Sequence, residues 1–337
     1  MFVATNHQYM MFFTQKGKCF WMRVYEIPEG SKTAKGRAIQ NLVNIESDDK
    51  VKAFICTQDL KDKDYINSHN LIMVTKKGQV KKTSLEKYSK PRVNGVAAIT
   101  IKEGDELLEA KLTNGESQII LAVKSGKLVR FEETKTRPMG RTASGVRGIT
   151  LKDDTDEVIG MVTVDKENIN DSQILVVTEN GYGKRTKLVE DGEDVYRITN
   201  RGGKGVKTLN ITEKTGKLIS INAVTDADDL MIINKSGLTI RMAIEDLRVM
   251  GRATQGVKLI NLKGKDSIAA VTKVMKDDVA EVVVDEDGNV IETEAIERVK
   301  PVMEVLEEEV SEEEDDDSEN EEELEDDSEE EDSDDEA

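Results

Sequence analysis

Histidine and cysteine are nearly absent, and each scarcity removes a class of chemistry. His7 and His69 are the only imidazoles in 337 residues. Histidine-based general acid–base catalysis and zinc coordination are therefore not expected. The two cysteines, Cys19 and Cys56, make neither a metal spacing nor a disulfide framework. Two buried or half-buried thiols suit a reducing cytoplasm. Four prolines against 24 glycines leave the turns to be built on Gly. No run approaches the roughly 18 apolar residues of a membrane helix, so no membrane contact is expected. The start, Met-Phe-Val-Ala-Thr-Asn-His, lacks the charged and apolar regions of a signal peptide. No metal and no cofactor are expected.

What is present is charge, unevenly placed. The formal net charge of −20 hides a partition, because residues 304–337 hold 24 acids and no Lys or Arg. The remaining 303 residues carry 44 acids and 48 bases, a net of +4. A mildly basic body thus precedes an acidic tail. The tail holds too little apolar surface to fold and is expected to be disordered.

The body repeats. Thr14-Gln-Lys-Gly17, Thr75-Lys-Lys-Gly78, Val123-Lys-Ser-Gly126, Thr178-Glu-Asn-Gly181 and Asn234-Lys-Ser-Gly237 each follow an apolar run and precede a second one. Apolar run, Gly turn, apolar run is a hairpin signal. A second pattern recurs: Asn94-Gly-Val-Ala-Ala-Ile99, Ser144-Gly-Val-Arg-Gly-Ile149, Lys204-Gly-Val-Lys-Thr-Leu209 and Gln255-Gly-Val-Lys-Leu-Ile260, with Lys35-Gly-Arg-Ala-Ile39 as a shortened version. The turn glycines are 61, 48, 55 and 56 residues apart. About four short strands per unit at this period signal radially arranged blades. The expected fold is all-β: a propeller-like disc of four-stranded blades with five complete repeats visible. Helical periodicity is weak, and Ala243–Val249 reads as a helical turn or connector.

Cations recur at fixed places. The residue four after the turn Gly is Lys82, Arg130, Arg185 and Arg241 in units two to five, and Trp21 in unit one. An even offset puts these side chains on one sheet face, where they would form a ring of positive charge. The segments before the second Gly add Lys32, Lys35 and Arg37; Lys90 and Arg92; Arg137, Arg141 and Arg147; Arg197, Arg201 and Lys204; and Arg248 and Arg252. Lys184, Lys207 and Lys258 complete the candidate set.

At Phe2-Val-Ala-Thr-Asn-His7, Val24-Tyr-Glu-Ile-Pro-Glu29, Gly78-Gln-Val-Lys-Lys-Thr83, Gly145-Val-Arg-Gly-Ile149, Glu179-Asn-Gly-Tyr-Gly-Lys-Arg-Thr186 and Gly251-Arg-Ala-Thr-Gln-Gly-Val257 the sequence resembles the C-terminal domain of bacterial DNA gyrase A. The resemblance covers roughly residues 1–275. It implies a β-pinwheel with a basic rim that wraps double-stranded DNA. It also implies assembly with the rest of gyrase A and with gyrase B (A2B2), and a cytoplasmic, nucleoid-associated place. The expected partition is then 1–9 as the closing strand of a preceding blade, 10–303 as the pinwheel, and 304–337 as the tail.

Two departures from the family qualify this. The Gln-Arg-Arg-Gly-Gly-Lys-Gly box of the family's earlier blade is absent, although Asn200-Arg-Gly-Gly-Lys-Gly205 is similar to it. That stretch reads either as a glycine-rich turn or as a phosphate clamp built on Arg201 and Lys204. The DNA-cleaving part with its active-site tyrosine is also absent, so no catalytic residue is expected, and Tyr196 sits inside a β-repeat. The chain is expected to be either a fragment of gyrase A or a separately encoded piece. The alternatives are the C-terminal domain of the topoisomerase IV counterpart, binding DNA without strong wrapping, and a propeller-like protein-interaction scaffold. The scaffold would need aromatic or apolar rim patches, which 4% aromatic content argues against. Asp285-Glu-Asp-Gly288, between Val282–Val284 and Val290-Ile291, reads as an Asp-Gly hairpin rather than a calcium loop.

Overall fold

A computed structural model describes residues 4–31, 34–262 and 266–275, and the backbone of 282–284 and 290–292. The acidic tail, Lys32 and residues 1–3 of the expected closing strand lie outside the described residues. In the rest of that segment, Ala4 and Thr5 are irregular, residues 6–8 turn, and Tyr9 belongs to the first strand of the first blade.

The body is all-β, with five antiparallel blades arranged in a ring in propeller fashion. Each begins with the expected hairpin across the turn Gly. The pairs are Tyr9–Thr14 with Lys18–Arg23, Asn70–Thr75 with Gln79–Ser84, Gln118–Val123 with Lys127–Glu132, Gln173–Thr178 with Tyr182–Lys187, and Asp228–Asn234 with Thr239–Ala243. A third strand pairs with the other side of each first strand: Val51–Thr57, Leu107–Thr113, Val158–Val164, Leu218–Val224 and Ile268–Met275. Third strands of successive blades pack on one another.

The fourth strand is exchanged between blades, which the repeat pattern does not reveal. The Gly-Val pattern of each repeat pairs with the second strand of the preceding blade. Val96–Ala97 joins Lys18–Arg23, Val146–Arg147 joins Gln79–Ser84, Val206–Lys207 joins Lys127–Glu132, and Val257–Lys258 joins Tyr182–Lys187. The two glycine motifs therefore interlock across blades. Gly126 (φ +84°) lies where a Cβ would come 2.8 Å from Leu209 O, and Gly205 (φ +75°) where one would come 2.6 Å from Leu128 O. No L side chain fits that conformation at that distance without displacing backbone.

The fifth blade has three strands among the described residues. Gly36, in the shortened motif, has nothing within 4 Å of its would-be Cβ. Ile244–Asp246 forms a short 3-10 connector as expected, and Val282–Val284 pairs antiparallel with Val290–Glu292. A short helix, Lys63–Ser68, was not expected from the sequence; Asp62 caps it by accepting from Asp64 N and Tyr65 N.

The core is distributed between blades. Ile72, Val74 and Val80 of the second blade pack with Ile119, Leu121 and Phe131 of the third, and Ile149 joins them just after the exchanged strand. Cys19 is buried and Cys56 half-buried, both free thiols. No helix among the described residues is long and apolar enough to cross a membrane.

Candidate nucleic-acid interface

The Gly-plus-four cations of the second, third and fourth blades are inside the protein. Lys82 is 6% exposed, Arg130 2% and Arg185 7%. The shared-face expectation holds for their spacing, but that face is covered by the connector arriving from the next repeat. Lys82 Nζ pairs at 3.0 Å with the fully buried Glu133, at the start of the next connector. Arg130 donates from Nη1 to Tyr196 O and Asp194 Oδ1, both at 2.8 Å, and from Nε to Gln118 Oε1 at 2.7 Å. Arg185 donates from Nε to Leu247 O at 2.5 Å and from Nη1 to Asp226. Arg241 is half-buried and pairs at 2.7 Å with the buried Asp229 of its own blade. Lys184, also expected at the interface, is fully buried. Lys82, Arg130, Arg185 and Arg241 are thus corrected from an outward charged ring to internal ties, and Lys184 from an interface cation to a buried one. The first three of the four Gly-plus-four cations fasten one blade to the connector of the next.

The outward members of the candidate set belong to the segments that cross from each repeat onto the preceding blade, apart from two on the shortened motif. Over the first blade these are Lys90 and Arg92, both exposed. Over the second, Arg137 and Arg147 are exposed and Arg141 half-buried. Over the third, Arg197 and Lys204 are exposed, with Arg201 and Lys207 half-buried. Over the fourth, Arg248 is exposed, with Arg252 and Lys258 half-buried. Lys35 and Arg37 are exposed on the shortened motif.

Each crossing segment over the second to fourth blades is held in register by the backbone of a Gly-plus-four cation. Met139 N donates to Lys82 O at 2.8 Å, Thr199 N to Arg130 O at 2.8 Å and Met250 N to Arg185 O at 2.9 Å. Neighbouring crossing loops are joined in series. Thr100 N donates to Ala143 O at 3.3 Å, Thr150 N to Gly203 O at 2.9 Å, and Asn210 N to Thr254 O at 3.1 Å. The end of one loop thereby meets the middle of the next across all four.

In the stretch Asn200–Gly205, Gly202 (φ +86°) donates N–H to Gly148 O at 2.8 Å. Gly205 is required by the close approach to Leu128. Gly203 has neither a positive φ nor any neighbour closer than 3.9 Å to a would-be Cβ. Turn geometry explains two of these three glycines and leaves the third open to contact from outside. Arg201 Nε donates to Lys135 O at 3.1 Å, laying its guanidinium along the loop surface.

A cleft of about 420 Å³ beside the third blade is lined by Lys124, Lys127, Lys152, Lys207 and Lys217. Lys124 and Lys207 fall within the repeat motifs. The others converge from separate segments, so no local spacing signals them. Tyr196 is buried core: its hydroxyl shares a hydrogen with Thr208 Oγ1 at 2.8 Å, and burial pushes its ionisation up.

A family model described as DNA gyrase C-terminal domain, beta-propeller, matches residues 8–58, 69–114, 118–165, 172–225 and 228–275, one stretch per blade. DNA gyrase A of Staphylococcus epidermidis is 41% identical over 275 residues, covering 81% of this chain and 29% of that protein. DNA gyrase A of Staphylococcus aureus is 39% identical over 297 residues, covering 87% of this chain and 32% of that protein. The chain spans less than a third of these relatives. Among solved structures, the C-terminal domain of DNA topoisomerase IV superposes with a TM-score of 0.70 at 23% identity, covering 81% of this chain and 80% of that one. A DNA gyrase A C-terminal domain superposes with 0.66 at 23% identity, covering 81% and 84%. At that identity both likenesses carry the fold alone.

Proposed function

Because this chain belongs to the DNA gyrase C-terminal domain family, we propose that it is a non-catalytic module that binds double-stranded DNA along its crossing loops and bends it. In this reading it serves gyrase A within an A2B2 assembly. Wrapping by this module supports ATP-dependent negative supercoiling by the whole enzyme, at the nucleoid in the cytoplasm. The observation that carries the proposal is the series of loops joined by hydrogen bonds, each bearing two to four Lys or Arg at its surface.

The physics suits bending. Bending 20–30 base pairs costs roughly 1–10 kcal/mol, so no single cluster of charge would hold the curve. Contacts spread over successive blades offset the stiffness step by step. Phosphate contacts carry no sequence code, so any preference would come from bendability.

The test is affinity for a duplex as a function of salt. Each phosphate contact contributes a slope of about −0.9 on a log–log plot. Replacing Arg137, Arg147 and Lys204 with Ala is expected to flatten the slope by about three contacts. An unchanged slope would refute the loop surface as the interface. The sequence relatives at about 40% identity are gyrase A proteins, which favours gyrase over topoisomerase IV.

A further inference from the structure

Two of the four crossing loops share the pattern Met-Gly-Arg followed by Gly four residues on: Met139-Gly-Arg-Thr-Ala-Ser-Gly145 and Met250-Gly-Arg-Ala-Thr-Gln-Gly256. Beneath these two, the residue three after the turn Gly is lysine: Lys81 after Gly78 and Lys184 after Gly181. Beneath the other two it is Phe20 or Val129. Both lysines are 0% exposed. Lysine is almost never fully buried unless its ammonium is partnered, and an apolar side chain fills the same position in the sister blades.

Here the ammonium serves the loop backbone. Lys81 Nζ donates to Arg141 O at 2.5 Å and to Ala98 O at 2.7 Å. Lys184 Nζ donates to Gly251 O at 2.5 Å, Arg252 O at 2.7 Å and Thr254 Oγ1 at 3.0 Å. The two sites repeat one arrangement: a buried cation draws the carbonyl of the loop arginine inward. A trans peptide sets its N–H opposite its C=O. Turning Arg141 O and Arg252 O inward therefore turns the N–H groups of Thr142 and Ala253 outward, and both residues are exposed. Each loop then offers an arginine and an outward amide to solvent, with the repelling carbonyl dipole hidden.

We propose that each Met-Gly-Arg loop is a phosphate clamp preset from beneath, with Lys81 and Lys184 as positioning residues for Arg141 with the Thr142 amide and for Arg252 with the Ala253 amide. The ligand is the phosphodiester of duplex DNA, so this deepens and rests on the DNA-binding reading of the loops. Presetting removes the ordering of the loop from the free energy of association. It also orients amide donors toward anionic oxygen.

The experiment uses the full chain, a 40-base-pair duplex and a potassium chloride series. Lys184→Met is expected to weaken binding about 5- to 10-fold at low salt and to flatten the log–log slope by about one contact. Arg252→Ala should do the same, and the double variant should be no worse than either alone, because both changes remove one clamp. Thr254→Val, at the loop surface, removes one acceptor and should shift affinity in the same direction by less. It preserves the test if Lys184→Met does not fold. Wild-type affinity and slope in folded Lys184→Met, or losses that add to those of Arg252→Ala, would overturn the proposal. Amide hydrogen exchange without DNA separates the two layers. Faster exchange at 252–254 in Lys184→Met supports positioning even if the wild-type chain binds no duplex, in which case it is the DNA reading that fails. Unchanged exchange overturns positioning whatever the DNA result.

Discussion

Replacing Lys82 with Met separates the two roles open to a cation four residues after the turn glycine. In the structure its ammonium lies 3.0 Å from Glu133, whose side chain is 0% exposed. The same carboxylate also accepts from Thr113 Oγ1 at 2.9 Å and from Ser117 N at 3.3 Å. Lys82→Met leaves that carboxylate buried with two neutral donors and no counter-charge. Breaking a buried pair from one side costs about 3–5 kcal/mol, which in a domain of this size lowers the melting midpoint by on the order of 10 °C. Lys82→Met/Glu133→Met removes both charges and is expected to recover more than half of the loss, since an apolar pair of similar volume is often as stable as the ion pair. What remains missing is the bonding of Thr113 and Ser117, roughly 1–2 kcal/mol. Calorimetry of the single and double variants reads the stability, and duplex titration reads the affinity of the folded fraction. The expected result is a large stability change with wild-type DNA affinity at every salt concentration. Weakened binding with an unchanged melting midpoint would refute the reasoning and return Lys82 to the outer surface.

Three further outcomes are expected. Gly203→Ala should leave the stability within about 0.5 kcal/mol of wild type, because its would-be Cβ meets nothing closer than 3.9 Å; duplex affinity should nevertheless fall, and equal affinity would make Gly203 a plain turn residue. Burial, reinforced by the charge of Arg141, pushes Lys81 down to about 7, so the folded state releases this proton far below the ordinary lysine range. Between about pH 7 and 10.5 the unfolded chain binds the extra proton, and wild-type stability relative to Lys81→Met should rise by roughly 1.4 kcal/mol per pH unit across that window and stay flat below it; a lysine titration near 10 by NMR would contradict this. Truncation after Met303 removes 24 acids tethered at an effective concentration that can reach millimolar, and is expected to tighten duplex binding at low salt; equal binding by both chains at every salt concentration would exclude competition by the tail.

The hairpins were legible because the turn glycine and its flanking apolar runs are contiguous. Gly17, Gly78, Gly126, Gly181 and Gly237 each mark one blade. The destination of the Gly-Val strand was not legible, because Val96–Ala97 finds its partner in Lys18–Arg23, roughly 75 residues earlier. Even spacing placed Lys82, Arg130, Arg185 and Arg241 on a common face, but spacing alone does not say whether a face is wet. The burial of the first three comes from connectors contributed by other parts of the chain, such as Glu133 over Lys82. The loop cations were legible as a set because they recur on either side of each second Gly. The hydrogen bonds that join their loops pass through Thr100, Thr150 and Asn210, side by side only after strand exchange. Lys152 and Lys217 escaped notice for the same reason. Asp49, Asp105 and Asp156 recur just before the third strands, where each carboxylate accepts the turn amide of Lys16, Lys77 or Ser125.

The most direct measurement is ligation of a nicked plasmid in the presence of increasing amounts of this chain, followed by removal of the protein and two-dimensional gel analysis of the trapped topoisomers. DNA curved along the joined crossing loops is expected to trap positive writhe in proportion to bound protein, and to trap none with the Arg137, Arg147 and Lys204 substitutions. Saturating binding that leaves the topoisomer distribution centred on the relaxed position would contradict wrapping and favour the topoisomerase IV type of DNA contact.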